Sequence, residues 1–301
     1  MKNLLITGAA GAMGQALIRE ILDDGMTIWA LDLGKELLQK NFSGVENVKI
    51  FDLSDFRAGR IPMAEMDCIM HCAFARSQMG AALTSSIDFT REIFETAIAN
   101  NIPRVINISS QSVYGNFREK PSSEDDQVNP FDQYGIAKYS CEKIGEILFS
   151  NTACRLTSVR MASLVGVQYS ERIINKMIQF ALKNRKIRIV GGSQQFSFLH
   201  LNDAVRGLKC LLDNADKPCR SVYNLGTSET FSICRLAEVI AGKIREKCGF
   251  EPEIEIDTQD IKHSVPLDVA RIKQDFNWSA AITLNDIVDE ILDNLIRQQG
   301  C

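Results

Sequence analysis

Tyr134 and Lys138 stand four residues apart in DQYGIAKYSCEK, residues 132 to 143, a stretch that otherwise has the pattern of an amphipathic helix. Side chains at i and i+4 share one helix face, so a phenol and an ammonium reach one small volume. The pair suits proton exchange with an alcohol. A phenol with an ordinary pKa of about 10 is a poor base near neutrality, and bringing it to about 7 takes roughly 4 kcal/mol of preferential stabilisation of the phenolate. An ammonium about 5 Å away supplies roughly 3 kcal/mol at an effective dielectric near 20. A second positive group must supply the rest.

TGAAGAMGQ places Gly8, Gly11 and Gly14 after a strand-like run and at the opening of a helical pattern. Glycine lets the backbone turn tightly and approach a pyrophosphate, whose charge meets free N–H groups and the positive end of the helix dipole. Asp32 closes the next strand-like run, where a carboxylate accepts hydrogen bonds from the adenine ribose and repels an added 2′-phosphate. No arginine follows Asp32 directly, which favours NAD over NADP. Asp52 and Leu53 close a third run and stand where an adenine edge would be contacted; a plain strand end explains them equally well. Oxidised nicotinamide would bring the second positive charge, and hydride transfer needs a group to handle the hydroxyl proton. Ser109 and Ser110, in NISSQSVYG, end another run at the edge where such sheets bind ligands, placed to orient the substrate oxygen.

These groups must be positioned by an alternation of short and long elements. NLLITG (3–8), TIWALD (27–32), VKIFDL (48–53), DCIMHCA (67–73), RVINISS (104–110) and LTSVRM (156–161) read as strands, with helical patterns between them. The rhythm predicts an α/β fold, a doubly wound parallel sheet of Rossmann type with a smaller, interleaved α/β lobe. Residues 1–165 form the NAD-binding domain in this reading, its sheet completed by about 195–227, and 166–194 with 228–301 form the substrate lobe. KIRIVGGSQQFSFLHLNDA reads as two short strands around a turn. SVYNLG (221–226) is placed to rejoin the main sheet.

Composition narrows the function classes. The 301 residues are 45% hydrophobic and 24% charged, enough for a large core. A net charge of −4 gives no footprint for nucleic acid or an anionic membrane. No apolar run reaches the length of a membrane span. Nine cysteines without a C-x-x-C pair suit reduced thiols in the cytoplasm. His71, His200 and His263 lie far apart in sequence, and no carboxylate cluster has metal-ligand spacing. His71 reads as a packed residue, His200 and Asp203 as organisers of a turn between lobes, Tyr114 and Trp278 as core, and SSEDD (122–126) as a solvated loop.

With these pieces in order, the chain resembles the extended short-chain dehydrogenase/reductase superfamily, specifically its NAD-dependent epimerase/dehydratase family, which includes UDP-glucose 4-epimerase-like proteins. TGAAGAMG resembles the family's Gly-x-x-Gly-x-x-Gly loop, HCAFA its His-x-Ala-Ala segment, SSQSVYG its Ser-Ser-x-x-Val-Tyr-Gly strand end, and YGIAKYSCE its Tyr-Gly-x-Ser-Lys-x-x-x-Glu helix. VRMASLVG, FSFLHLNDA, YNLGTSETFSI and LDVARIKQDFNWSA resemble later segments. The resemblance implies a catalytic serine at Ser110, with Tyr134 as acid/base and Lys138 as its partner. It implies that Gly8, Gly11, Ala12, Met13 and Gly14 cradle NAD, that Asp32, Asp52 and Leu53 hold its adenosine half, and that Cys72, Ala73, Phe74, Ser109 and Met161 line the nicotinamide half. It also implies a homodimer joined through the helices at 87–100 and 134–149.

Departures from the pattern narrow the chemistry. Gln111 and Ser112 stand where family 4,6-dehydratases carry an acidic pair, which disfavours dehydration. Phe196 and Ser197 replace the Arg-Asp of the segment that grips a nucleotide-sugar diphosphate, and Ser163 replaces an asparagine. Lys262, Arg172 and Arg188 are the basic residues available to compensate. The favoured expectation is a nucleotide-sugar epimerase. The alternatives are a net dehydrogenase or reductase of a sugar, uronate or other small alcohol, and a non-catalytic dinucleotide-binding regulator.

Overall fold

The structure, a computed structural model, describes residues 1–76, 80–115, 120–192, 194–215, 217, 219–257 and 266–299. Lys262 and His263 lie outside the described residues. The first half of the chain runs β1 (Asn3–Thr7), α1 (Ala12–Ile21), β2 (Thr27–Leu31), α2 (Lys35–Phe42), β3 (Val48–Phe51), α3 (Leu53–Arg57), β4 (Cys68–His71), α4 (Gly80–Ala99), β5 (Arg104–Ser110), α5 (Gln133–Phe149) and β6 (Arg155–Met161). Leu4, Leu5 and Ile6 are wholly buried, as strands covered by helices on both faces must be. In α1 only Gly14, Leu17, Ile18 and Ile21 are buried, one face of the helix.

The second half runs β7 (Ser163–Val165), α6 (Ile173–Asn184), β8 (Lys186–Val190), β9 (Gln195–Phe196), β10 (Phe198–His200), α7 (Leu201–Asp213), β11 (Val222–Leu225), β12 (Phe231–Ser232), α8 (Ile233–Cys248), β13 (Glu253–Asp257), α9 (Ala270–Phe276) and α10 (Leu284–Gln299). The main sheet has seven parallel strands in the order β11-β6-β5-β4-β1-β2-β3. Its order reverses between β1 and β4, which opens a crevice at the strands' carboxyl ends. Register brings Thr7 beside His71 and Ser110 beside Met161, so the ends of four strands meet there.

Three small two-stranded sheets pair β7 with β10, β8 with β13 and β9 with β12. The segment after β8 therefore holds two strands rather than one. The chain changes partners at Ser197, whose Oγ donates to the Thr227 carbonyl. A second core gathers Ile174 and Ile178 of α6, Leu236 and Ile240 of α8, and Val288 and Ile291 of α10. Asp203 of α7 accepts from the Ala281 and Ile282 amides and so fastens the main sheet's covering helix to the entry of α10. Among the described residues no helix is long and apolar enough to cross a membrane.

One expectation is overturned. SSEDD is not simply solvated: Ser122 and Glu124 are buried, and the loop is knitted to β11. The Asn224 amide donates to Glu124 at 2.8 Å, and the Asn224 side chain donates to the Ser122 carbonyl. Backbone groups of a buried loop need partners, and a polar strand residue, Asn224, provides them.

Beneath this loop lies a buried ion pair. Arg160 of β6 donates through Nε and Nη2 to both oxygens of Glu142 on α5, the closest contact being 2.7 Å. Its Nη1 donates to the Tyr114 hydroxyl, which donates to Asn224. Ser109 Oγ donates to the same Glu142. Removing one partner of such a pair strands the other charge away from water. Glu142→Ala is expected to lower unfolding free energy by about 3–5 kcal/mol in urea titration. A loss within the exposed-pair range of about 1 kcal/mol would show that the network is not holding the sheet end together.

Candidate active site

The carboxyl ends of β1, β4, β5 and β6 surround a cavity of about 400 Å³. Gly8 adopts φ +67°, and an added Cβ there would lie 2.6 Å from the Ala73 amide nitrogen. A Cβ on Gly14 would stand 2.4 Å from the Gly8 carbonyl. Both positions thus require glycine: the first draws the turn against the β4 end, and the third lets α1 start directly on the loop. Gly11 precedes α1 without any side-chain cap, and Ala12 and Met13 line the cavity. An uncapped helix start facing a cavity fits a pyrophosphate. Asp32, at the end of β2, accepts from Ala10 N and Gly34 N at 2.9 Å, one bond to each oxygen. A carboxylate has about four acceptor sites, so capacity remains for ribose hydroxyls.

Gly8, Gly11, Ala12, Met13, Cys72, Phe74, Ser109, Ser110, Tyr134, Lys138 and Met161 all line this one cavity. Gly14 and Ala73 pack immediately behind it. Asp32, Asp52 and Leu53, expected at the adenosine half, lie outside this lining: Asp52 caps α3 by accepting from Asp55 N and Ser54 Oγ, and Leu53 is the first residue of that helix. Lys35 pairs with Asp55 at 2.6 Å beside them.

Asp132 caps α5 by accepting from Gly135 N, which starts the helix so that Tyr134 falls in its first turn and Lys138 in its second. Lys138 is not aimed first at the phenol. Its Nζ donates to the Ile108 carbonyl at 2.7 Å, stands 3.8 Å from the centre of the Phe74 ring and lies 5.9 Å from the centre of the Tyr134 ring. Phe74 meets Tyr134 edge-on, with centroids 5.9 Å apart. It packs against both, an aromatic ring where the family segment has a methyl. Burial pushes the Tyr134 phenol above 10; the Arg76 charge pulls it down and Asp132 pushes it up. Arg76 is therefore a second cation acting on the phenol, beside Lys138. Ser110 caps the short turn Gln111–Tyr114, accepting from Ser112 N, which fixes its hydroxyl at the cavity wall.

Two of the departures from the family pattern meet one another. Gln111 Nε2 donates to Ser163 Oγ at 3.0 Å, so the residue in the place of a dehydratase acid is an amide tied to the residue in the place of the asparagine. Phe196 stacks on Phe198, which packs on Phe231. Arg76, Asp132 and Tyr169 also line the cavity without having been singled out in the sequence. Arg76 follows an apolar strand end at the ligand edge, and that was the available signal. Tyr169 sits in a loop without periodicity, and no signal marked it. His71 is a packed residue: it bonds Thr7 and Thr90 on its two ring nitrogens, and burial pushes it down to about 3.

Burial also pushes Lys138 down to about 8, while Cys141, Cys72 and Glu142 raise it and Arg76 lowers it further. In the unfolded chain the same lysine keeps its ordinary value, so from about pH 8 upward the unfolded chain holds a proton that the folded one has released. Wild type should therefore gain stability over Lys138→Met by up to about 3 kcal/mol as pH rises from 8 toward 10.5. Paired urea titrations across that window check this; a difference independent of pH would contradict it.

A model of the NAD dependent epimerase/dehydratase family matches residues 4–226. YtcB of Bacillus subtilis, which carries the name uncharacterized UDP-glucose epimerase, is 26% identical over 94% of this chain and 95% of its own. The dTDP-glucose 4,6-dehydratase of Streptomyces griseus is 24% identical over 94% of this chain and 91% of its own. Among solved structures, UDP-glucuronic acid 4-epimerase from Bacillus cereus in complex with UDP-glucuronic acid and NAD superposes with a TM-score of 0.80 at 20% identity, over 98% of this chain and 99% of that one. The last is a likeness of fold. With the family match running from the first strand through the end of β11, the chain belongs to the NAD dependent epimerase/dehydratase family.

Proposed function

We propose that the protein is an NAD-dependent sugar-nucleotide epimerase, with Ser110, Tyr134 and Lys138 as its catalytic residues. The observation that carries this reading is their meeting with the uncapped start of α1 in one cavity. NAD, when bound, supplies reversible acceptance of hydride and, while oxidised, a positive charge. Tyr134 takes the proton of the reacting sugar hydroxyl as the carbon gives up hydride; once the resulting ketone has turned its other face, hydride would return to that face while Tyr134 returns the proton to the oxygen. Ser110, fixed by its turn, orients that oxygen. Lys138 and Arg76 stabilise the phenolate; at 5.9 Å from the ring centre an ammonium is worth roughly 3 kcal/mol at an effective dielectric near 20. The amide at Gln111 is not acidic enough to protonate a leaving hydroxyl, which favours epimerisation over dehydration.

Residues 166–194 and 228–301 form the lobe that covers the substrate in this reading. Ile136 and Ile147 leave apolar surface exposed on α5, which suits a homodimer through α4 and α5. The described cysteines are free thiols, in keeping with a cytoplasmic setting. A net dehydrogenase is a second reading because an apolar ring, Phe196, stacked on Phe198, stands where the family has its grip on the diphosphate of a nucleotide sugar.

UDP-glucose and UDP-glucuronic acid, named for relatives, are the substrates to test first. Proton NMR should show the 4-epimer accumulating while absorbance at the NADH band stays flat; stoichiometric NADH would favour the dehydrogenase. Tyr134→Phe should lower kcat by about 10²- to 10⁴-fold with an unchanged thermal midpoint. Near-normal turnover in that variant would remove Tyr134 from the reaction.

A further inference from the structure

The cavity holds two guanidiniums besides the Lys138 ammonium. Arg76, in the loop after β4, and Arg172, the residue before α6, both line it with Tyr169. The Tyr169 ring lies 5.7 Å from the Arg76 guanidinium carbon. Arg76 is exposed and Arg172 half-buried, and among the described residues neither guanidinium is paired with a carboxylate. Glu171, the nearest acid in sequence to Arg172, pairs with Lys176 instead. Asp132 is the one carboxylate lining the cavity among the described residues, and it is held by the Gly135 amide. Three cations therefore face one engaged anion, counting Lys138.

Among the described residues the other candidates for gripping an anion are occupied or apolar. Phe196 is apolar and stacked. Arg188 donates to Glu255 at 2.9 Å and lies over the Phe180 ring, away from the cavity. An unpaired guanidinium at a cavity wall is a ready donor fork for phosphate or carboxylate oxygens.

We propose that Arg76 and Arg172, backed by Tyr169, hold the anionic oxygens of the substrate, the service lost at Phe196. This deepens the epimerase reading and rests on the same cavity. The two guanidiniums approach from different bodies of the fold, Arg76 from the main sheet and Arg172 from the helix that opens the second core. An anion shared between them would hold the second core against the sheet while the sugar reacts. The shared chemistry is a cluster of anionic oxygens, and a diphosphate or a uronate carboxylate each provides it.

Titration calorimetry of the full chain with UDP, UDP-glucose, UDP-glucuronic acid and NAD, each as a separate probe, tests the assignment in wild type, Arg76→Gln and Arg172→Gln. Each substitution should weaken binding of the UDP probes by about 10- to 100-fold and leave NAD within about threefold. Arg76→Lys and Arg172→Lys should recover part of the loss, and circular dichroism verifies that the variants are folded. Weakened UDP identifies the diphosphate; weakening confined to UDP-glucuronic acid identifies the carboxylate. Unchanged affinity for all UDP probes, loss confined to NAD, or a wild type that binds none of them overturns the proposal. Arginine-dependent binding without turnover of any UDP-sugar would sink the epimerase reading and leave this assignment standing.

Discussion

The geometry of this crevice depends on one buried ion pair. Arg160 and Glu142 lie on different elements, β6 and α5, and each is almost completely removed from water. A pair in such surroundings repays its own desolvation only when every donor and acceptor finds a partner. Here Ser109, Tyr114 and, through Tyr114, Asn224 complete the set. The network fixes the spacing of three neighbouring strand ends and of the helix bearing Tyr134 and Lys138. Its value lies in specifying an arrangement more than in adding stability, since apolar groups of similar volume would pack there at least as well.

The proposed site sits above this frame in an environment that works against charge. Burial raises the phenol and lowers the lysine, so the two resting forms favoured are the neutral tyrosine and a lysine that has lost much of its usual basicity. Phe74 moderates the second effect, because an aromatic face 3.8 Å from the ammonium and a carbonyl at 2.7 Å both favour the charged form. The crevice is thus held near a balance that added charge can tip, which is a useful property where a proton must travel in both directions.

Much of this was legible in the sequence. Glycines between a strand and a helix, an acid closing the next strand and the alternation of short runs with helical patterns together imply a parallel sheet with a ligand edge. The first six strands fall within a residue or two of where β-branched and apolar runs placed them. The serine, tyrosine and lysine, distant in sequence, line one cavity because that edge collects strand ends. Spacing along a helix, however, does not say where a flexible side chain points: Lys138 shares a face with Tyr134 and still takes the Ile108 carbonyl as its closest partner. Polarity does not reveal burial either. Ser122 and Glu124 read as solvated because their partner, Asn224, lies a hundred residues away on a strand. Asp52 was placed by strand position alone, and its carboxylate has a second task there, capping the helix that follows.

Gln111 and Ser163 illustrate how such a crevice changes its chemistry. Joined by a single hydrogen bond across the mouth between β5 and β7, they form a coupled couple rather than two independent losses. A carboxylate at the first position would reverse that bond, the Ser163 hydroxyl turning to donate, and an asparagine at the second would meet Gln111 amide to amide. Because a hydroxyl serves either kind of partner, acidity at this corner of the mouth can change without unlinking the two strands that frame it.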